Sequence, residues 1–378
     1  MANTVRLMNK MRILVTGSKG FIGQNLVLKL SENSEFEIIT YDRGDSREFL
    51  DNSIAQSDAI IHLAGVNRPD SIEDFDRGNV ELTKQICDSI EMADRKVPLI
   101  LSSSTQAALD NPYGISKRAA EVAVKTLNSR TGNPVTIFRL PGIFGKWCRP
   151  NYNSVVATFC YNRANDLPIQ VSDLGREISL VYIDDVVATL CSAILNISNE
   201  LEYSDISPVY RLTLGELAEH IESFRGCRED LVIPPVGTGL LRALYSTYVS
   251  YLPPSKFSYD LMSHGDERGT FVEMLKTRDS GQFSYFTAHP GITRGGHYHH
   301  TKTEKFLVIK GSARYRFRNL VTGELVEIDS TGTKPTIVET IPGWTHDIKN
   351  VGSDELIVML WANEIFDRDR PDTINSKV

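Results

Sequence analysis

The sequence is poor in cysteine: five thiols, at Cys87, Cys148, Cys160, Cys191 and Cys227, are spread over 378 residues. Their number is odd, and their spacing matches neither a disulfide framework nor a Cys-x-x-Cys metal site. This usage is typical of a chain that works in a reducing compartment. We therefore expect a cytoplasmic protein.

Long apolar runs and an excess of positive charge are also missing. No stretch of about 18 apolar residues occurs, so no membrane span is expected, and residues 1–10 lack the apolar core of a secretory signal. With 41 basic and 48 acidic residues, the formal net charge is −7. That sign is opposite to the one usual in nucleic-acid-binding proteins. Neither nucleic acid nor a membrane is therefore expected as a partner.

The order of the apolar segments predicts two domains of different class. Up to about residue 250, short apolar strands alternate with helices, which is typical of an α/β Rossmann-type parallel sheet covered on both faces. From Thr270 onward, short strands are separated by regularly spaced glycines, which favours an all-β sandwich or barrel. The length fits two domains, which we predict at residues 1–250 and 251–378.

A glycine-rich turn, Gly17-Ser-Lys-Gly20-Phe-Ile-Gly23, follows the first predicted strand and opens the first predicted helix. In that context Gly17 permits the tight turn, Gly20 lets a diphosphate approach the backbone, and Gly23 lets the helix pack on the strand. The free N–H groups of the helix N-terminus favour the same anion. The turn predicts a dinucleotide site that includes Phe21 and Ile22.

Two residues at the end of the second predicted strand bear on the choice of dinucleotide. Asp42 lies where an acidic side chain accepts hydrogen bonds from the adenosine ribose of NAD. Arg43 follows at once and offers a positive charge to the 2′-phosphate of NADP. The two signals conflict, so this pair by itself leaves NAD and NADP open.

Tyr113 and Lys117 are four residues apart, which puts both side chains on one face of a predicted helix. A phenol with a pKa of about 10 is a poor acid or base at neutral pH unless a neighbouring cation lowers that pKa. Lys117 and an oxidised nicotinamide ring would do so together. Upstream, the hydroxyls of residues 102–105 end a predicted strand, where they can bind a substrate carbonyl. The combination predicts redox chemistry at a carbonyl.

Together with His62-Leu-Ala-Gly65, Arg139-Leu-Pro-Gly-Ile-Phe-Gly145 and Val181-Tyr-Ile-Asp-Asp-Val186, these motifs resemble the extended short-chain dehydrogenase/reductase family, which acts on nucleotide sugars. The resemblance covers roughly residues 11–245. It implies a cofactor site that also includes Leu63, Ala64, Gly65, Tyr113 and Lys117.

The same resemblance implies the roles of the catalytic residues. Ser104 and Tyr113 would contact the reacting carbonyl, and Lys117 would lower the pKa of Tyr113 and bind the ribose. Because the stretch between the serines and the tyrosine is shorter than usual in the family, Ser103 and Thr105 stay open as alternatives to Ser104.

Four of the eight histidines fall between residues 297 and 346. In an extended strand His297 and His299 face the same side, and Glu304 can return to that side on the next strand. His346 follows a later turn. Three imidazoles and one carboxylate suit a divalent metal such as zinc, with a position left for water or a substrate oxygen. We therefore predict a metal site.

The spacing of these residues resembles the first motif of the cupin superfamily, and residues 343–350 resemble the second, although Pro342 directly precedes Gly343 where the family has Pro-x-Gly. The resemblance implies an all-β cupin (jelly-roll) domain. The segment Asp266-Glu-Arg-Gly-Thr-Phe271 also resembles the entry to metal-free cupin epimerases of keto-deoxysugar nucleotides. In those enzymes a histidine is the catalytic base, so His297 or His299 would act without a metal.

An extended reductase followed by a cupin, together with Asn67-Arg-Pro69 and Lys146-Trp-Cys-Arg-Pro-Asn-Tyr-Asn153, resembles a family of bifunctional capsular-polysaccharide and O-antigen enzymes. The resemblance implies a UDP-linked 2-acetamido-2,6-dideoxy-4-hexulose that the cupin epimerises at C3 and the reductase then reduces at C4 with NADPH. It places the protein on the route to UDP-N-acetyl-L-fucosamine and implies a homodimer.

Two other functions stay open. One is a 4-epimerase or 4,6-dehydratase that retains its NAD, although Thr105-Gln-Ala107 lacks the acidic pair expected of a dehydratase. The other is a non-enzymatic sensor that binds NADP, against which the Tyr113 and Lys117 pair argues.

Overall fold

The computed structural model describes residues 10–69, 71–196, 201–229, 231–266, 269–272, 275–277, 281–364 and 369–378. Its helices in chain order are α1 (Phe21–Ser31), α2 (Arg47–Gln56), α3 (Glu73–Phe75), α4 (Leu82–Met92), α5 (Pro112–Thr131), α6 (Val155–Ala164), α7 (Ile183–Leu195), α8 (Leu214–Gly226) and α9 (Gly239–Val249). A π-helical segment (Asp76–Glu81) joins α3 to α4, and 3₁₀ turns cover Thr105–Ala108 and Pro254–Lys256.

The strands in chain order are β1 (Met11–Thr16), β2 (Phe36–Tyr41), β3 (Ala59–His62), β4 (Leu99–Ser104), β5 (Val135–Leu140), β6 (Gly142–Phe144), β7 (Glu177–Tyr182), β8 (Leu201–Ser204), β9 (Tyr210–Thr213), β10 (Val232–Ile233), β11 (Ser258–Asp260), β12 (Ser263–Asp266), β13 (Gly269–Val272), β14 (Lys276–Thr277), β15 (Gln282–Ala288), β16 (Thr293–Tyr298), β17 (Glu304–Lys310), β18 (Ser312–Asn319), β19 (Leu325–Thr331), β20 (Thr336–Glu339), β21 (Trp344–Asn350), β22 (Leu356–Ala362) and β23 (Ile374–Asn375).

The chain forms two compact units. Unit 1 is Met1–Ile143 with Ser179–Tyr210, and unit 2 is Phe144–Ile178 with Arg211–Val378. Unit 2 thus begins before residue 250 and contains α6, α8 and α9 as well as the β-rich region. The boundary near residue 250 separates two kinds of sequence pattern and stays a prediction.

Unit 1 contains a six-stranded parallel sheet in the order β2-β1-β3-β4-β5-β8, which confirms the predicted Rossmann-type class. Its central strands are buried along most of their length because helices cover both faces; Ile13, Leu14 and Ile60 are fully buried. The carboxyl ends of parallel strands meet at one edge of the sheet. The glycine turn after β1, Asp42 after β2 and Ser104 at the end of β4 therefore lie along the same edge.

Helix α5 begins at Pro112, and its start sets the position of Tyr113. Asn111 caps the helix, because its side-chain oxygen accepts a hydrogen bond of 2.8 Å from the N–H of Gly114. Pro112 occupies the first turn, where it is well tolerated. A Cβ on Gly114 would lie 2.2 Å from the carbonyl oxygen of Gln106. This close approach brings the first turn of α5 against the segment that follows β4.

Unit 2 contains two five-stranded sheets, ordered β11-β20-β17-β22-β15 and β19-β18-β21-β16-β23. Every pairing assigned within them is antiparallel. The predicted all-β class is confirmed. Strands β17 and β22 are rich in apolar residues. Strand β21, Trp-Thr-His-Asp-Ile-Lys-Asn, is mostly polar although six of its seven residues are buried.

The five cysteines are all free. Among the residues that the structure describes, no helix combines the length and the apolar character needed to cross a membrane.

Two candidate active sites

The glycine turn in unit 1 has the conformation that its predicted roles require. Gly17 has a φ of +72°, and a Cβ there would lie 2.7 Å from the backbone of Ala64. A Cβ on Gly23 would lie 2.1 Å from the Gly17 carbonyl oxygen, whereas one on Gly20 would meet only that oxygen, at 3.2 Å. No side chain of the described residues caps the N-terminus of α1. The turn therefore presents open backbone N–H groups, which fit a dinucleotide diphosphate.

Asp42 stabilises this turn. The Ser18 hydroxyl donates a hydrogen bond to one of its carboxylate oxygens, and the backbone N–H of Lys19 donates to the other at 3.1 Å. Arg43 is exposed beside it. Both carboxylate oxygens of Asp42, the residue predicted to bind the ribose, are thus hydrogen-bonded within the protein. The neighbouring Arg43 side chain faces solvent.

His62, in the motif that precedes Leu63, Ala64 and Gly65, has a structural role. Its ring nitrogens lie 2.7 Å from the Thr16 hydroxyl and 2.9 Å from the Thr83 hydroxyl. Burial, together with the nearby positive charge of Lys117, lowers the pKa of His62 to about 3. This neutral histidine fixes the end of β3, and residues 63–65 follow at the edge where the glycine turn lies.

Neighbouring serines of β4 make different contacts because successive side chains of a strand point to opposite faces. The Ser103 hydroxyl donates to Glu121 at 2.6 Å in the buried interior. The Ser104 hydroxyl is hydrogen-bonded to the Tyr113 phenol, and Thr105 is exposed. Of the three hydroxyls that the sequence left open, the geometry brings Ser104 to the tyrosine.

Tyr113 and Lys117 are both largely buried. Burial raises the pKa of Tyr113, and the hydrogen bond to Ser104 opposes this rise. The Lys117 ammonium donates to the Ser102 carbonyl oxygen at 3.0 Å, and burial lowers the pKa of Lys117 to about 8 while Glu121 opposes that change. The pKa of Tyr113 is set by burial and by Ser104, and Lys117 does not contribute to its shift. The lowering of the Tyr113 pKa by Lys117 therefore stays a prediction.

Asn79 organises this site but was missed in the sequence because no motif marks it. It lies in the π-helical segment, a type of irregularity frequent at functional sites. Its side chain accepts a hydrogen bond of 2.7 Å from the Val66 N–H and donates one of 2.9 Å to the Ser116 hydroxyl. A Cβ on Gly65 would lie 2.8 Å from Asn79 Oδ1 and 3.1 Å from Lys117 Nζ. Because Gly65 has no side chain, the buried Lys117 ammonium can lie close to its backbone.

In unit 2, His297, His299, Glu304 and His346 form one cluster. Each offers a ligand atom, and these atoms all lie within 4.8 Å of one another. His297 of β16 is paired with His346 of β21, with ring centroids 4.7 Å apart. His299, just past the end of β16, has its Nε2 3.1 Å from Glu304 Oε2. The structure brings together all four residues that the sequence predicted as ligands.

The charge state and bonding of this cluster fit a divalent cation. Burial and the neighbouring imidazoles lower the pKa of His297 to about 3, and burial also lowers that of His346. Burial would raise the pKa of Glu304, but His299 and Lys302 hold it well below its usual value. Neither ring nitrogen of the buried His346 makes a hydrogen bond among the described residues, and its Nε2 lies 3.5 Å from Glu304 Oε2. Burial would lower the pKa of His299, but the contact with Glu304 outweighs it and raises that pKa, so His297 and His346 are the neutral imidazoles of the cluster. Imidazole and ionised carboxylate are donors that zinc takes in proteins.

A residue near the C-terminus supports the cluster. His299 Nδ1 donates a hydrogen bond to the backbone carbonyl of Asp372. The Asp372 carboxylate in turn accepts from the backbone N–H groups of His300, Thr301 and Lys302, at 2.8, 2.7 and 2.7 Å. Such outer contacts fix the orientation of a ligating imidazole. Asp372 was missed in the sequence because it lies 73 residues from His299.

A cavity of about 190 Å³ adjoins the cluster. His297, Glu304 and His346 supply one polar part of its lining. Much of the remaining wall is apolar, and the other side chains that line it include Phe286, Phe306, Tyr315, Ile348 and Leu360. The space suits a small molecule that presents an oxygen to the cluster.

Two family models match the chain. The NAD dependent epimerase/dehydratase family matches residues 13–207, which include the whole site of unit 1. The polysaccharide biosynthesis C-terminal domain matches residues 264–374, which include the histidine cluster and Asp372.

The chain is also similar to proteins of known function or structure. It is 56% identical over 363 residues to the UDP-2-acetamido-2,6-beta-L-arabino-hexul-4-ose reductase of Pseudomonas aeruginosa, covering 96% of this chain and 98% of that protein. Its structure resembles the capsular polysaccharide assembling protein CapF of Staphylococcus aureus, with a TM-score of 0.67 and 42% identity over 97% of this chain and 100% of that one.

A more distant structure, UDP-glucuronic acid 4-epimerase from Bacillus cereus in complex with NAD, matches 57% of this chain and 84% of its own, with a TM-score of 0.51 and 18% identity. That likeness shows the fold alone. The full-length similarity to a reductase shows that the protein is an enzyme, which excludes the non-enzymatic sensor. The chain belongs to the NAD dependent epimerase/dehydratase family, in the CapF-like form that carries a polysaccharide biosynthesis C-terminal domain.

Proposed function

We propose that this enzyme epimerises C3 of a UDP-linked 2-acetamido-2,6-dideoxy-4-hexulose at the histidine cluster and reduces the C4 ketone at Tyr113. The carrying observation is the presence of two chemically different centres in one chain: a Ser104, Tyr113 and Lys117 set beside a dinucleotide turn, and a ligand cluster beside a cavity. The name of the P. aeruginosa relative supports the substrate class. The product is UDP-2-acetamido-2,6-dideoxy-L-talose, on the route to UDP-N-acetyl-L-fucosamine.

The chemistry of the ketone sets the order of the two steps. The hydrogen on C3 is acidic only while C4 is a carbonyl, because the electron pair left by the proton must delocalise onto the C4 oxygen. Reduction of C4 removes that acidity. Epimerisation therefore precedes reduction.

At the reducing centre the bound nicotinamide would supply the hydride. Tyr113 gives its phenolic proton to the C4 oxygen, and Ser104, which is hydrogen-bonded to Tyr113, holds that oxygen in place. The buried Lys117 ammonium lies beside Gly65, at the edge where the cofactor binds, and orients the ribose.

We assign NADPH as the cofactor. The Asp42 carboxylate is engaged by Ser18 and Lys19 in the glycine turn, whereas Arg43 is exposed next to it. A phosphate on the ribose gains a charge-assisted contact from an available guanidinium, while an acidic group already bonded to the turn offers little to a 2′-hydroxyl.

At the epimerising centre a divalent cation, with zinc the best match to the donors, would withdraw charge from the ketone oxygen. His299, Glu304 and His346 would hold the cation, and His297, which lines the cavity, takes the C3 proton. One nitrogen cannot bind a metal and a proton together, so His297 is a ligand only when it is not acting as the base. We further propose that the enzyme works as a cytoplasmic homodimer.

The test is incubation with the UDP-4-keto sugar in D₂O, with and without NADPH, followed by NMR. The wild type should exchange the C3 hydrogen without cofactor and reduce the sugar with it. Tyr113→Phe should keep exchange and lose reduction, and His297→Ala should lose exchange. Tyr285→Phe, which removes the hydroxyl of a tyrosine that is 72% exposed, should change neither. Loss of exchange in Tyr113→Phe would overturn the division of labour.

The same assay separates the enzyme from the alternative of a 4-epimerase or a 4,6-dehydratase. Those reactions return the hydride to the sugar, so they consume no NADPH overall. Stoichiometric oxidation of NADPH with the 4-keto sugar supports the reductase, and loss of the C4 ketone without oxidation of NADPH contradicts our proposal.

A further inference from the structure

Trp147 has a backbone conformation that disfavours a large side chain. Its φ is +68°, a region in which residues other than glycine are uncommon and bulky ones are outliers. Such a conformation persists only where the surrounding structure enforces it, and it occurs most often at functional sites. Trp147 belongs to the motif at residues 146–153, to which the proposed function assigns no role.

The indole of Trp147 packs against the backbone of Gly343, and both residues belong to unit 2. A Cβ on Gly343 would lie 2.8 Å from Trp147 Cζ2 and 3.2 Å from its Nε1. The contact therefore requires a residue without a side chain at position 343. Gly343 also has a φ of +81°, which favours glycine.

Gly343 lies in a tight turn that leads into β21. The N–H of Trp344 donates a hydrogen bond of 3.0 Å to the carbonyl oxygen of Ile341, which closes a turn of four residues. Pro342 is the second residue of this turn and Gly343 the third. A type II turn favours proline at the second position and requires a positive φ at the third. The direct succession of Pro342 and Gly343, which departs from the cupin motif, suits this turn.

The turn is bonded directly to the histidine cluster. The Gly343 N–H donates a hydrogen bond of 3.2 Å to the carbonyl oxygen of His299. His346 follows three residues later in β21, and its ring centroid lies 5.2 Å from that of His299. The position of the Gly343 backbone thus affects two of the four predicted ligands at once.

The segment that carries Trp147 is itself anchored on both sides. The preceding side chain, Lys146, is buried, and its ammonium lies 5.5 Å from the centroid of the indole, within cation–π range. The next residue, Cys148, is also buried, and its carbonyl oxygen accepts a hydrogen bond from the Tyr251 hydroxyl. These contacts leave the indole little freedom to move away from Gly343.

We propose that Trp147 is a positioning residue for the metal cluster. Its indole holds the turn at Gly343, and the turn fixes His299 through its carbonyl oxygen and His346 through the start of β21. A cation such as zinc requires its ligand atoms in a nearly fixed arrangement, so a turn that is free to shift costs affinity. The assignment rests on the proposed metal site. It makes that site dependent on a segment far upstream of the cupin-like sequence.

The experiment titrates the full-length, metal-free protein with Zn²⁺ in competition with a chelating indicator. Trp147→Ala should bind Zn²⁺ about tenfold more weakly than wild type, while still reaching one ion per chain at saturation. Tyr152→Ala is the matched control, because it removes another partly buried aromatic ring of the same segment, one that stacks on Arg149. Its affinity for Zn²⁺ should equal that of wild type.

A double-mutant cycle tests whether the effect passes through Gly343. In the wild-type background, Gly343→Ala drives a Cβ into the indole and also strains a positive φ, whereas in Trp147→Ala only the strain remains. The loss of Zn²⁺ affinity caused by Gly343→Ala should therefore be smaller in the Trp147→Ala background, by about threefold or more. Additive losses would overturn the assignment.

Wild-type Zn²⁺ affinity in folded Trp147→Ala would overturn it as well, because the indole would then only stabilise the fold. The melting temperature of the metal-free protein measures that stability separately. If Trp147→Ala does not fold, Trp147→Leu, which keeps an apolar side chain, takes its place and should also bind Zn²⁺ more weakly than wild type. Wild-type protein that binds no Zn²⁺ would instead contradict the proposed metal site itself.

Discussion

The Ser103 hydroxyl donates a hydrogen bond of 2.6 Å to the carboxylate of Glu121, a residue that is 1% exposed. Arg139 and Tyr203 bind the same carboxylate, with Arg139 Nε at 2.9 Å and the Tyr203 hydroxyl at 2.9 Å. This network ties β4, β5 and β8 to α5 directly behind the catalytic edge. Ser103 therefore has a structural role, whereas Ser104 faces Tyr113.

The two serines should therefore respond differently to substitution. Ser104→Ala removes the hydroxyl next to Tyr113, so kcat for NADPH-dependent reduction should fall about 10²-fold or more with little change in melting temperature. Ser103→Ala leaves Glu121 one hydrogen bond short and should cost about 1–3 kcal/mol of stability, with kcat nearly unchanged. Steady-state kinetics and thermal unfolding of both variants check this. The reverse pattern would assign the substrate contact to Ser103.

Glu121 should also contribute a pH-dependent part of the stability. Burial would raise its pKa, but the hydrogen bonds from Arg139, Ser103 and Tyr203 lower it below the ordinary value of 4.5. A carboxylate with a lower pKa in the folded chain stabilises the fold fully above its unfolded pKa, and this contribution is lost as the pH falls through the folded value. Glu121→Gln should therefore be less stable than wild type at pH 7, and the difference should shrink below pH 4.5.

Thermal unfolding across this pH range measures the effect. Glu37→Gln is the matched control, because Glu37 forms an ion pair with Arg12 in which both side chains are about half exposed, and such pairs contribute little. A stability difference for Glu121→Gln that does not change with pH would show that the carboxylate charge is not its source.

Within the glycine turn, Gly20 and Gly23 should separate cofactor binding from folding. A Cβ on Gly20 meets only one oxygen at 3.2 Å, so Gly20→Ala should fold but bind NADPH at least about tenfold more weakly, because the methyl group stands where the diphosphate approaches. A Cβ on Gly23 meets backbone at 2.1 Å, so Gly23→Ala should lower the melting temperature. Calorimetric titration with NADPH measures the affinity of each variant, and thermal unfolding measures its melting temperature. Unchanged affinity in Gly20→Ala would place the diphosphate elsewhere.

The histidine cluster should bind one divalent cation per chain, as measured by elemental analysis after dialysis. Glu304→Gln removes the anionic ligand and should abolish stoichiometric binding. Asp372→Ala removes the acceptor of three backbone hydrogen bonds and disturbs the segment that orients His299, so affinity should fall about 10- to 100-fold while saturating metal restores full occupancy. Wild-type protein without bound metal would favour the metal-free base mechanism.

The sequence was sufficient wherever a pattern is local. Gly17, Gly20 and Gly23 are set by one turn, and Tyr113 and Lys117 by one helical repeat, so the spacing alone predicted their relation. Likewise, the alternation of a strand predicted that His297 and His299 act together. These relations follow from backbone geometry over a few residues, which neighbouring residues determine.

Contacts between distant segments were decided only by the tertiary structure. The choice of Ser104 over Ser103 depends on which face of β4 meets α5, and the roles of Asn79 and Asp372 depend on segments that no motif links to the sites. Trp147 lies far from Gly343 in the sequence, so only the fold could place its indole against the turn before β21. Side-chain alternation gives a strand two faces, but only its pairing with distant strands determines what each face meets.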